Sequence, residues 1–424
     1  MPLRIPLLFL LALPALAQSP EERTRQALDQ ILAGKYDAFY ALFNSEMKAA
    51  ISLETYSQQA GQIIASLGKP TRIDPSQTRS VQGYLVVTIT VHWPAAALNF
   101  IVSWDKDGKI GGTFFRPAPP PTYDPPFYSH PYTFTSRDIT IGDDKWKLSG
   151  TLTVPKGKGP FPAVVLVHGS GPQDRDESIG GVRVFRDLAE GLSSRAIVVL
   201  RYDKRTKVHP DQWTANPNLT MTDETVTDAV RALALARTEP EVDPKRVFVL
   251  GHSQGGYMAP RIMQADPKLA GAIIMAGNAR PLEEIILDQN EYAAQLKGTL
   301  SDSERAQLEA LRRNPRLALL SFPSKYVEDL KDYRPVALAK STNVPMLIMQ
   351  GERDFQVTTK DFELWKSGLE SHVNVTLRSY PKLNHLFVVG EGKSTLEEYE
   401  KPAHVAPEVI GDVAAWIGNQ PRHE

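Results

Sequence analysis

Arg246-Val247-Phe248-Val249-Leu250-Gly251-His252-Ser253-Gln254-Gly255-Gly256 is the stretch on which the fold turns. Its first five residues form the short, apolar, β-branched run of a buried strand, and the spacing over 257–265 predicts a helix. Between them a serine occupies a sharp strand-to-helix turn, a strained position that lifts its hydroxyl above the end of a sheet. Side chains two positions to either side of Ser253 would collide with neighbouring backbone, which explains Gly251 and Gly255 as elements of this elbow.

Working outward, similar apolar runs recur at 163–167, 196–200, 271–275, 346–349 and 373–380, separated by helical segments. Short continuous runs of this kind predict an α/β fold, a mostly parallel sheet covered by helices on both faces. Such sheets carry their chemistry on loops at the carboxyl ends of the strands. A serine hydroxyl there needs a base, and the base needs an acid that holds its tautomer. The expected chain order is serine, acid, histidine. After the run ending at Gln350 comes Gly351-Glu352-Arg353-Asp354, and Asp354 is the favoured acid because Glu352 sits too close to the strand end. Of nine histidines, His92, His130, His168 and His209 precede the serine, His252 adjoins it, His372 precedes the last strand, and His404 and His423 fall in the tail. That leaves His385, just after the last strand, as the base.

The developing oxyanion needs two preset donors, one of them the backbone N–H of Gln254. The second is expected from His168-Gly169-Ser170-Gly171-Pro172, with Ser170 preferred and Gly171 as the alternative. Nearby charged clusters, Asp174-Arg175-Asp176-Glu177 and Arg201-Tyr202-Asp203-Lys204-Arg205, read as ion pairs bracing loops, with substrate contact or calcium binding as the sharper alternative. There is no metalloprotease, P-loop or dinucleotide motif, so no metal and no cofactor is expected. Residues 281–343, with a capping box at Ser301 and Glu304, form a candidate helical lid.

At the other end of the chain, residues 1–17 have a positive Arg4, an apolar run and the small-residue pattern Ala15-Leu16-Ala17. This predicts a secretory signal peptide cleaved near Ala17, and hence a secreted or periplasmic protein without a stable membrane anchor. Residues 18–115 read as a small α+β domain, with helices over 21–33 and 53–67, strands over 84–93, 98–104 and 110–115, and a turn at Asp107-Gly108. It contains no convergent catalytic set, so docking or homo-oligomer formation is its expected role. The Pro-rich stretch 116–131 reads as a stiff, extended linker to a second domain at 132–424. The length of 424 residues implies two domains, or one large domain carrying additions, since single cores stop growing at roughly 250 to 300 residues. With 48 Lys+Arg against 49 Asp+Glu there is no basic footprint for nucleic acid, and zero Cys removes disulfides and thiolate chemistry.

Together the elbow, the Gly-rich loop with Gln173-Asp174-Arg175-Asp176 after it, Arg201-Tyr202-Asp203-Lys204-Arg205, Gly351-Glu352-Arg353-Asp354 and Asn384-His385 resemble the α/β-hydrolase superfamily, and within it secreted bacterial serine esterases of the EstD type. Upstream, Phe43-Asn44-Ser45-Glu46-Met47-Lys48 and the Asp107-Gly108 hairpin look like the small domain of unknown function that precedes such hydrolases. Gln254 departs from the Leu of many relatives. The resemblance implies hydrolysis of small-molecule carboxylic esters through an acyl-enzyme. A serine peptidase of the same fold, aminopeptidase or acylaminoacyl-peptidase-like, is the alternative, and a noncatalytic binding protein on this scaffold is a third reading.

Overall fold

The computed structural model describes residues 18–421 apart from 82, 94–95, 119–122 and 144, so the expected signal peptide lies outside the described residues. The chain forms two compact units, residues 1–121 and 122–424.

In the first unit, helices Pro20–Leu32, Tyr36–Tyr40, Ser45–Ala50 and Leu53–Leu67 precede an antiparallel sheet. A capping box joins Ser19 and Glu22 at the start of the first helix. The strands Tyr84–Trp93, Ala96–Trp104 and Ile110–Pro117 pair in sequence order, with Gly108 at φ 69° in the expected turn. Ala27, Leu28 and Ile31 of the first helix bury against Phe39, Phe100 and Ile110, which is why one helix face is apolar.

The second unit is built on an eight-stranded sheet: β1 (Phe134–Ile141), β2 (Leu148–Pro155), β3 (Phe161–Val167), β4 (Val198–Tyr202), β5 (Val242–His252), β6 (Gly271–Met275), β7 (Met346–Gly351) and β8 (Val375–Tyr380). Their spatial order is β8-β7-β6-β5-β3-β4-β2-β1, and β2 alone runs against the others. Val164, Val165, Val247 and Val249 are fully buried at the centre. Burying each such side chain stabilises by about 1.5–3 kcal/mol, which offsets local strain elsewhere. Register sets the site: Gly251 pairs with Val167, His252 with Met275, Met275 with Met349 and Gly351 with Tyr380, so the carboxyl ends of five strands open on one edge.

Some boundaries depart from the sequence reading. The run at 196–200 becomes β4 at Val198–Tyr202, because Ala196 turns the chain at φ 61°. The last strand starts at Val375, Val373 being 92% exposed. The β1–β2 hairpin was not anticipated. The linker reading of 116–131 is corrected at both ends. Residues 116 and 117 finish the edge strand Ile110–Pro117, where the missing donor of Pro117 costs little. Tyr123, Tyr128 and Ser129 belong to the second unit, and they bond to Asp187 (2.9 Å), the Val405 carbonyl (2.7 Å) and Glu190 (2.7 Å). Proline removes backbone donors there, but these side chains supply the anchors. Between β6 and β7, helices Leu282–Lys297, Asp302–Arg313, Ser324–Leu330 and Pro335–Lys340 make up most of the 281–343 insert, and the Ser301–Glu304 capping box is formed. Among the described residues no helix is long and apolar enough to cross a membrane.

Candidate active site

β5 delivers Ser253 at φ 52° and ψ −114°, and helix Gln254–Ala265 begins at once, three residues earlier than its apolar spacing suggested. A non-glycine residue in this region costs about 1–3 kcal/mol. The strain is held by the Ser253 N–H donating to the Met275 carbonyl at 2.8 Å and the Tyr257 N–H donating to the Ser253 carbonyl at 2.9 Å. A Cβ at Gly251 would sit 2.2 Å from the Gly255 oxygen, and one at Gly255 would sit 2.1 Å from the Val167 oxygen. Both glycines are therefore required by backbone contact.

Asp354 lies on the loop after β7. Its Oδ1 accepts from the N–H groups of Gln356 (2.8 Å) and Val357 (2.9 Å), and its Oδ2 faces His385 Nδ1 at 2.6 Å. The two backbone donors, with the Gln350 amide donating to Oδ2 at 3.2 Å, aim the carboxylate at the imidazole. Glu352 is exposed and accepts instead from the Ser379 hydroxyl. His385 is placed by its neighbour: Asn384 Oδ1 accepts from the N–H groups of Leu386 (3.0 Å) and Val388 (3.1 Å), closing a tight turn around the ring.

A second histidine lies beside the first. His252 donates from Nε2 to the His385 carbonyl at 2.9 Å, and its Nδ1 is 3.0 Å from Glu177 Oε2, an ionic contact set off the ring N–H direction. Burial opposes charge on His252, but Glu177 lifts its pKa above the ordinary value. Burial likewise opposes ionisation of Glu177, yet the imidazolium and the Gly169 N–H hold its carboxyl below the ordinary range. His168 is different: burial pushes its pKa down to about 4, and it stays neutral.

The Gly-rich loop after β3 reaches the serine, since a Cβ on Gly169 would lie 3.2 Å from Ser253 Cβ. Gln254 sits at the first position of the elbow helix and is buried, whereas Ser170 is on the exposed part of the loop. The charged clusters brace loops, as their composition suggested: Arg175 pairs with Asp203 at 2.7 Å, Arg201 with Asp176, and Arg205 with Asp228. Asp174 caps its own turn by accepting from the N–H groups of Asp176 and Ser178. Among the described residues no group of three or more His, Asp or Glu is placed to hold a metal.

Comparison with known proteins places the chain in a family. Residues 189–411 fit the prolyl oligopeptidase family, and residues 25–112 fit a protein family of unknown function, DUF3887. The chain is 38% identical over 395 residues to Esterase EstD of Thermotoga maritima, covering 92% of this chain and 93% of that one. This chain belongs to the prolyl oligopeptidase family. Its fold is that of the α/β-hydrolases, the superfamily its motifs resemble. An acylaminoacyl peptidase from Pyrococcus horikoshii superposes with a TM-score of 0.50 at 14% identity, covering 82% of this chain and 56% of that one, a likeness of fold alone. In this prolyl oligopeptidase-family chain the sequence reading missed the roles of Glu177, Lys204, Glu224 and Tyr326, all buried around the Gly-rich loop and the elbow. The one available signal was the density of charge next to a glycine loop.

Proposed function

We propose that the chain is a secreted serine esterase that cleaves small-molecule carboxylic esters through an acyl-enzyme. The observation that carries this reading is the 2.6 Å contact of His385 Nδ1 with Asp354 on loops beside the strained Ser253. The esterase relative at 38% identity supports the ester as substrate class. His385 Nε2 takes the Ser253 Oγ proton as Oγ attacks the ester carbonyl, and Asp354 steadies the imidazolium. The N–H groups of Gln254 and Ser170 receive the oxyanion. The intermediate collapses, His385 returns the proton to the leaving alcohol, and water then attacks the acyl-enzyme to release the acid and restore Ser253.

The test is Ser253→Ala assayed with p-nitrophenyl acetate, where kcat should fall by about a millionfold. Undiminished turnover refutes the reading. The family match favours a second reading, a serine peptidase using the same residues. Faster hydrolysis of aminoacyl anilides than of matched esters would select it. Secretion rests on residues 1–17 and is checked by N-terminal sequencing of the exported protein, which should begin near Gln18.

A further inference from the structure

One residue beside the nucleophile, Gly169, has the peptides on both its sides gripped from buried positions that the steps above leave unused. The Gly169 N–H donates to Glu177 Oε1 at 2.7 Å, and the Gly169 carbonyl accepts from Lys204 Nζ at 2.8 Å. Lys204 is 2% exposed, and its ammonium is also 2.8 Å from Glu224 Oε1. Glu224 Oε2 in turn accepts from Gln254 Nε2 at 3.1 Å and from the Tyr326 hydroxyl at 2.6 Å. The ammonium is thus desolvated but paired with a carboxylate and hydrogen-bonded to a carbonyl, which offsets the cost of burying it. Burial works against the ionised form of Glu224, yet Lys204 and the two side-chain donors hold its carboxyl below the ordinary range.

The Gly169 carbonyl and the Ser170 N–H belong to the same planar trans peptide and point in opposite directions. Whatever fixes one aims the other. The next peptide has a weaker hold: the carbonyl of exposed Ser170 accepts from the side-chain amide of half-buried Gln173 at 3.0 Å. Resting on the esterase reading, we propose that Lys204 is a positioning residue, which by holding the Gly169 carbonyl turns the Ser170 N–H, rather than that of Gly171, toward the oxyanion. Glu224 anchors the ammonium and joins it to the elbow through Gln254 and to the 281–343 insert through Tyr326.

The experiment compares wild type with the K204M/E224Q protein, which removes both charges and leaves neither buried alone. Its readouts are kcat and KM for p-nitrophenyl acetate, thermal unfolding, and affinity for a trifluoromethyl ketone, whose hydrate-forming carbonyl adds Ser253 Oγ to give a tetrahedral oxyanion. Expected are a fall in kcat of about 100-fold, the magnitude of losing one oxyanion donor, a KM within about threefold, and a matching loss of ketone affinity. K204R, which keeps a charged donor, should recover part of both. A folded double variant with wild-type kcat and ketone affinity overturns the proposal, as does a change confined to KM. If the double variant does not fold, K204R is read alone: parallel losses in kcat and ketone affinity support the proposal and wild-type values overturn it. S253A is run alongside, and undiminished turnover there sinks the esterase reading itself, a separate outcome.

Discussion

The elbow after β5 and the loop after β8 each bury a histidine against a carboxylate, and the two rings lie only 4.8 Å apart between centroids. In the loop, His385 commits Nδ1 to Asp354, while among the described residues its Nε2 has no hydrogen-bond partner. In the elbow, His252 faces acceptors on both sides, Glu177 at Nδ1 and the His385 carbonyl at Nε2. The same pair of residue types therefore serves two ends. On the proposed reading His385 is the base and His252 a support for the loop that carries it. His252, whose pKa burial lowers but Glu177 raises more, links the Gly-rich loop to the loop of His385.

Substitution should separate the two most widely. H385Q is expected to lower kcat by about a millionfold, as for the serine. H252Q should cost the folded enzyme no more than about tenfold but lower its stability by about 3–5 kcal/mol, because Glu177 is left buried without its partner. Active-site titration combined with thermal unfolding distinguishes the two, and equal inactivation of both would erase the contrast. A narrower comparison sets the carboxylates against each other: D354N should lose about 10⁴-fold in kcat through the wrong tautomer, and E352Q should be indistinguishable from wild type. A more exposed imidazole–carboxylate contact joins His404 to Asp187 at 3.1 Å. That hydrogen bond chiefly, with Asp124 and Glu190 nearby, raises the His404 pKa above 6.5 against partial desolvation. A raised folded pKa means that the contact stabilises fully below 6.5 and that this stability is lost as pH rises through the folded value. The melting-temperature deficit of H404Q should therefore be largest near pH 6 and vanish in alkali, worth less than about 1 kcal/mol because the ring is partly in solvent.

What the sequence disclosed follows from how locally it is determined. Gly251 and Gly255 are legible because their constraint lies within the elbow and the strand beside it, and Asp354 and His385 because a parallel sheet puts successive strand ends on one edge in a fixed order. Glu177 and Lys204 were visible only as charge and Glu224 was not singled out, since their partners come from distant segments: Glu177 meets His252, Lys204 meets Gly169, and Glu224 meets Tyr326. The choice between Ser170 and Gly171 depends on the orientation of a peptide plane, which no residue pattern encodes. The β1–β2 hairpin escaped because β1 has only two buried residues, Phe134 and Ile141, and so lacks a continuous apolar run. Residues 123–131 were misread because their prolines outweighed Tyr128, which is 3% exposed.

The contact of Gly255 with the Val167 oxygen has a bearing on biogenesis. The turn that bears the serine takes its shape against a strand synthesised much earlier, so no fragment holding the motif alone would react with a serine-directed probe. A nascent chain becomes chemically competent only when the centre of its sheet has zipped together, and probe labelling during refolding would time that event.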